Sequence, residues 1–141
     1  MAQSPQLARL QRRLEAIPKA VREAVVPSLV KSGEELAGAM GQLAEPSRDT
    51  GDLIDSIAVT PPGQSTPPYS QPGGARVAGE LEVLVTVGNE DVRYPHLVEY
   101  GTSKAEAQPF FWPAYRLLQR RIRNRTRRAI GKAVRGGWNK P

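Results

Sequence analysis

His96 and Glu99 are residue types that general acid–base catalysis uses, and Asp49 is the further carboxylate that a nuclease-like or toxin-like centre would recruit. Leu97, Val98 and Tyr100 around them are sheet formers, which predicts a short strand over 97–100. In a strand, side chains three apart point to opposite faces, so His96 and Glu99 do not form an acid and base pair there. No Ser-His-Asp set and no paired carboxylates can be assembled from the remaining residues, so the chain reads as a non-enzyme. Glu99 is expected instead to pair with an arginine or to accept backbone amides near the Gly101 turn. His96 is expected to sit satisfied at a sheet edge.

Other chemistries meet similar obstacles. The chain has no cysteine and a single histidine, which rules out thiolate ligands and leaves little material for a metal centre. Gly73-Gly74 lies in a proline-rich stretch, not between a strand and a helix, so neither a phosphate loop nor a dinucleotide fingerprint is present. No cofactor is expected. Arginine is the exception to this scarcity. Residues 107–141 hold ten Lys or Arg and no Asp or Glu, so the formal net charge of +6 divides into +10 there and −4 elsewhere. A field this asymmetric suits a polyanion or an acidic protein surface. Arg120, Arg121, Arg125, Arg127 and Arg128 are the candidates to meet protein or DNA. The stretch lacks interleaved aromatics and a groove-reading fold, which argues against sequence-specific readout.

The elements that must position these residues follow from periodicity. At 141 residues one domain is expected. Leu7, Leu10, Leu14, Ile17 and Val21 recur at helical steps, and Leu29, Leu36, Met40 and Leu43 continue them, giving a helical segment over 6–44. Pro18 and Pro27 interrupt its hydrogen bonding, which predicts a kink or break near Pro27. Gly33, Gly38 and Gly41 would let a neighbour approach closely. Leu53, Ile54, Ile57 and Val59 suggest a first strand, and 80–88 alternates Leu81, Val83, Val85 and Val87 with other residues as a second. With 97–100 as a third, the fold class is α+β: a long N-terminal helix, a small antiparallel sheet of three to four strands within 45–108, and a C-terminal basic helix over 109–135.

Between the first two strands, 60–79 carries five prolines and four glycines, a composition expected to be mobile or to order against a partner. Gly101 is expected to hold a positive φ in a turn leading to Pro109. The apolar face of the last helix draws on Phe111, Tyr115, Leu118, Ile122, Ala129 and Val134. Gly136 and Gly137 predict a flexible tail over 136–141, with Trp138 as a tethered anchor for a neighbouring subunit. No run is apolar enough to cross a bilayer, and none at the N-terminus resembles a signal peptide.

The ordered set Pro46, Thr50, Gly51, Leu53, Ser56, Ile57, Val87, Gly88, Tyr94, Val98, Glu99, Tyr100, Gly101, Thr102, Gln108, Pro109, Phe110, Pro113 and Ala114, between a long helix and a basic one, resembles the neck or tail-completion family of long-tailed double-stranded DNA phages and gene transfer agents. The resemblance spans about residues 7–134. Asp55 and Trp112 depart from the family's usual residues. It implies a virion protein, made in the bacterial host cytoplasm, without enzymatic activity. It further implies a homo-oligomeric ring, hexameric to match a tail tube, between a head-closure or connector protein and tail-terminator or tail-tube proteins, with DNA passing through its channel. A basic protein acting on duplex DNA is the alternative.

Overall fold

The computed structural model describes residues 4–138. Helix α1 runs from Pro5 to Ala44. Ser4 starts it: its hydroxyl accepts the Leu7 amide at 3.1 Å, and Pro5 supplies the fixed φ suited to a first helical position. The helix passes through Pro18 and Pro27 without interruption, against the break expected at Pro27. Each proline leaves one carbonyl unbonded, on Leu14 and Glu23, and all four residues lie exposed, so water reaches the gap. The remaining cost is offset by an antiparallel partner, α4, from Phe111 to Trp138.

Chain direction along this helical hairpin is fixed by three contacts. Gly137 of α4 lies against Ile17 of α1, Arg125 against Ser32 and Glu35, and Phe111 and Ala114 share one apolar cluster with Leu36, Met40 and Ala44. The glycine-rich end expected to be a flexible tail is therefore helical to Trp138, and 139–141 lie outside the described residues. The reason is proximity: a Cβ on Gly137 would stand 3.1 Å from Ile17 Cγ1, so here the absent side chain permits helix contact. Trp138 lies beneath the Arg13 guanidinium, 5.6 Å from its ring centre.

The sheet is smaller than expected. It has two antiparallel strands, β1 (Ala58–Thr60) and β2 (Leu84–Thr86), with Val59 opposite Val85. Leu53 and Ile54 belong to a short helical turn, α2 (Asp52–Asp55), and not to a first strand. The alternation over 80–83 does not extend β2, because Glu82 turns back to accept the Gly79 amide at 3.1 Å and to pair with Arg76 at 2.7 Å. The third expected strand is helix α3 (Pro95–Tyr100). Pro95 at its start presets a helical φ, and the Leu97 amide donates to the Tyr94 carbonyl at 3.0 Å, so local geometry overrides the sheet preference of Leu, Val and Tyr.

After Thr60, the last residue of β1, the segment 60–79 contains no further helix or strand, yet it folds back on itself. Thr66 and Arg76 exchange hydrogen bonds at 2.8 Å, Gly63 donates to the Ala78 carbonyl, and Gln71 pairs with Val87 beside β2. The core collects Leu36, Met40 and Ala44 of α1, Leu53, Val87 and Val92, and Phe110, Phe111 and Ala114 at the start of α4. Gly33 brings α1 against Val59 and Val83.

Candidate functional site

A helix leaves its first four amides without internal partners. At the start of α4 these belong to residues 110–113, and every one is accounted for. Glu99 Oε2 accepts from Phe110 at 2.9 Å and Phe111 at 3.0 Å, Glu99 Oε1 accepts from Trp112 at 3.1 Å, and Pro113 has no amide to satisfy. Glu99 as a residue is 7% exposed, and its carboxylate sits at the positive end of a 28-residue helix. Glu99 thus does accept backbone amides, as its type suggests, but those of a helix eleven to thirteen residues downstream.

The connection is shaped to allow this. Gly101 ends α3 with φ 78° and ψ 175°, a conformation open to glycine, and a Cβ there would stand 2.7 Å from the Ala107 nitrogen. Thr102 Oγ1 accepts from Lys104 and Ala105, and the Gln108 amide returns to the Val98 carbonyl at 2.8 Å. Pro109 is exposed and Phe110 fully buried. Tyr100 and Trp112 are joined by an indole N–H donating to the Tyr100 hydroxyl at 2.8 Å. Glu99, Tyr100, Gly101, Thr102, Phe110 and Pro113 therefore form one corner. Thr50, Gly51 and Tyr94 gather elsewhere, with Val98, around a cavity of about 130 Å³. Thr50 Oγ1 accepts the Asp52 amide, and Ser56 links α2 to the end of β2 by accepting the Gly88 amide at 3.0 Å.

His96 does not lie on the opposite face of a strand from Glu99. Both are on α3, where residues three apart share a side. They still form no catalytic pair, because Glu99 is committed to three amides while His96 Nδ1 lies 3.2 Å from Gln71 Nε2. Between the 69–74 loop and the α3–α4 corner opens an apolar cleft of about 460 Å³, lined by Tyr69, Ser70, His96, Tyr100, Phe110 and Trp112 among others. The Ser70 hydroxyl in its wall is fully buried and has no hydrogen-bond partner among the described residues. No sequence signal marks this cleft, since its walls come from four separate segments, 69–74, Val87, 95–100 and 110–112.

The arginines divide into two groups. Arg125 Nη2 donates to Glu35 Oε2 at 2.7 Å and Nη1 to Ser32 Oγ at 2.9 Å, and Arg121 Nε meets Glu35 Oε1 at 3.0 Å. The Arg125 hydrogen bond, with the charges of Arg125, Arg121 and Lys31, holds the Glu35 carboxyl below its ordinary value against the opposing effect of burial. Arg116, Arg120, Arg123 and Arg127 instead share the solvent side of α4, with no ion pair among the described residues. They span about 16 Å along the helix. Arg128 is exposed as well. The apolar side of α4 is Phe111, Ala114, Leu118, Ile122 and Ala129; Tyr115 and Val134, expected there, are exposed.

The described residues thus form a two-helix hairpin closed over a two-stranded sheet, with a capping corner at the start of α4 and a one-signed outer face along it. Residues 8–101 match the family model HK97-gp10_like, described as "Bacteriophage HK97-gp10, putative tail-component", and the chain belongs to this family of phage tail components. No curated protein and no solved structure matches it. No group of His, Cys, Asp or Glu suited to hold a metal ion occurs among the described residues, and none of their helices is long and apolar enough to cross a membrane.

Proposed function

We propose that this chain is a non-enzymatic subunit of the junction between head and tail in a phage or phage-like particle, made in the bacterial host and built as a homo-oligomeric ring that completes the tail for attachment. Six copies would match a tail tube, with a connector or head-closure protein on one side and tail-terminator or tail-tube protein on the other. The observation that carries this reading, beyond family membership, is the outer face of α4. Four exposed guanidinium groups along about 16 Å, with no ion pair among the described residues, repel one another until an anionic surface meets them. An acidic neighbouring protein is the better candidate than the transiting DNA, because a ring of such helices facing the channel would bind phosphate and retard passage.

Changing Arg116, Arg120, Arg123 and Arg127 to Glu together tests this. Arg121 and Arg125 are left alone because they hold Glu35. The expected product is a folded subunit with filled heads and finished tails that fail to join. Normal joining with DNA retention or delivery alone impaired would place the stripe against DNA, and normal particles throughout would overturn the assignment.

A further inference from the structure

The solvent side of α4 has a counterpart of opposite sign in the same chain. Asp49, Asp52 and Asp55 lie before and within α2, Glu90 and Asp91 lie in the turn that follows β2, and all five are exposed with no ion pair among the described residues. The two segments form one surface. The Gly88 amide donates to Ser56 Oγ at 3.0 Å, and Leu53 and Val92 share the core beneath. The turn is also fixed from within: Asn89 Oδ1 accepts the Asp91 amide at 2.9 Å and the Val92 amide at 3.0 Å, while the Asn89 amide donates to the Val92 carbonyl. Neighbouring cations do not cancel this surface. Arg48 is matched by Glu45, and Arg93 lies over the Tyr69 ring at 3.8 Å, so five carboxylates less this one guanidinium leave four negative charges.

Within one chain the two surfaces stay apart. Arg125 turns towards Ser32 and Glu35 of α1, and at 3.6 residues per turn Arg116, Arg120, Arg123 and Arg127 stand about half a turn round the helix from it, facing away from α1. The acidic surface is instead carried on the end of α1, against which α2 packs. We infer that the arginine stripe of one copy docks on the acidic surface of the next, an inference that rests on the proposed ring and names the acidic neighbour of α4 as this same chain. Four guanidinium groups then meet four uncancelled negative charges, and such complementarity fixes partner and register more than it adds affinity. Stripe against stripe and acid against acid repel, so the contact joins two different surfaces. A contact of that kind propagates from copy to copy and closes into a ring when the rotation allows.

Charge exchange on the full chain tests this. One variant changes Arg116, Arg120, Arg123 and Arg127 to Glu, a second changes Asp52, Asp55, Glu90 and Asp91 to Lys, and a third carries both sets. All eight positions are exposed, so each variant should keep the circular dichroism spectrum and the cooperative unfolding of the wild type. Either set alone should leave heads and tails unjoined, and the two sets together should restore joining. A stripe variant that fails to join while the acidic-surface variant joins normally would give the stripe to another protein, overturning this contact and leaving the proposed function. No restoration by the folded third variant would overturn the contact as well. A direct readout comes from Arg120→Lys in joined particles treated with a zero-length carbodiimide. The expected product is a linked dimer of this chain whose tryptic peptides join position 120 to Asp52, Asp55, Glu90 or Asp91. Links from position 120 to another protein alone would overturn the inference, and joined particles that lack the chain would remove the proposed function and this contact together.

Discussion

Replacing Glu99 tests whether the α3–α4 corner is held as described. Glu99→Ala removes the acceptor for three amides at once. Two of them, on Phe110 and Phe111, are buried and would stay unsatisfied, and each such donor costs about 1–3 kcal/mol. The third, on Trp112, is only part-buried and can turn to water, so it adds little. Loss of a negative charge at a helix start adds about 0.3–1 kcal/mol. The expected loss is therefore about 2–7 kcal/mol, or a fall of about 7–25 °C in melting temperature for a chain of this size. Glu99→Gln keeps the shape but turns one oxygen into a donor facing an amide, and should cost about 1.5–3 kcal/mol. Urea denaturation followed by circular dichroism measures both. His96→Ala, which removes one exposed contact to Gln71, should change stability by less than about 0.5 kcal/mol. A Glu99→Ala loss below about 1 kcal/mol, or one equalled by His96→Ala, would refute the capping argument.

The Glu35 site gives a ranking: Arg125→Ala, whose side chain is largely buried against Ser32 and Glu35, should cost about 1.5–3 kcal/mol, and Arg121→Ala, with an exposed side chain, less than about 1 kcal/mol. Because the Glu35 carboxyl titrates lower in the folded chain than its ordinary 4.5, its contribution is complete above that value and disappears as the pH falls through the lower folded value. Measured against Glu35→Gln, the wild type should hold a constant stability advantage above pH 4.5 that shrinks as the pH falls below it. Gly101→Val should destabilise by about 3 kcal/mol or more, since it combines a glycine-only conformation with a backbone collision, and unchanged stability and particle yield would contradict that geometry. In amide exchange of the isolated chain, 60–79 should exchange faster than α1 and α4 and slow on incorporation into particles. Within it the bonded amides of Thr66 and Ala78 should be the slowest, and protection equal to that of α4 in the free chain would argue against a segment that orders on assembly.

Long-period features were legible from the sequence, and features set by tertiary contact were not. The leucine steps of α1 and the proline-opened start of α4 fix two helices, because 3.6-residue periodicity and fixed φ act locally. The span 97–100 misled because Leu, Val and Tyr suit a strand equally well, and only the Tyr94–Pro95 start and the pull of Glu99 towards α4 decide for helix. Pro27 and the Gly136-Gly137 pair misled in the opposite direction: both weaken an isolated helix, and packing of α1 on α4 outweighs both. Glu99 and Gly101 were legible as a motif, but the amides that Glu99 serves lie far downstream. Arg125 was indistinguishable from Arg120 in an arginine run until the helix phase turned one towards Glu35 and the other to solvent.

The proposed function places this chain at the boundary between head and tail. Electron cryomicroscopy of the purified particle measures it directly, by fitting the α1–α4 hairpin and its two-stranded sheet into density. The expected result is a closed ring of copies at that boundary, with Arg116, Arg120, Arg123 and Arg127 against an acidic protein neighbour. Density for the chain confined to the distal tail tip, or no copy of it in the finished particle, would rule out a place at the head-to-tail boundary.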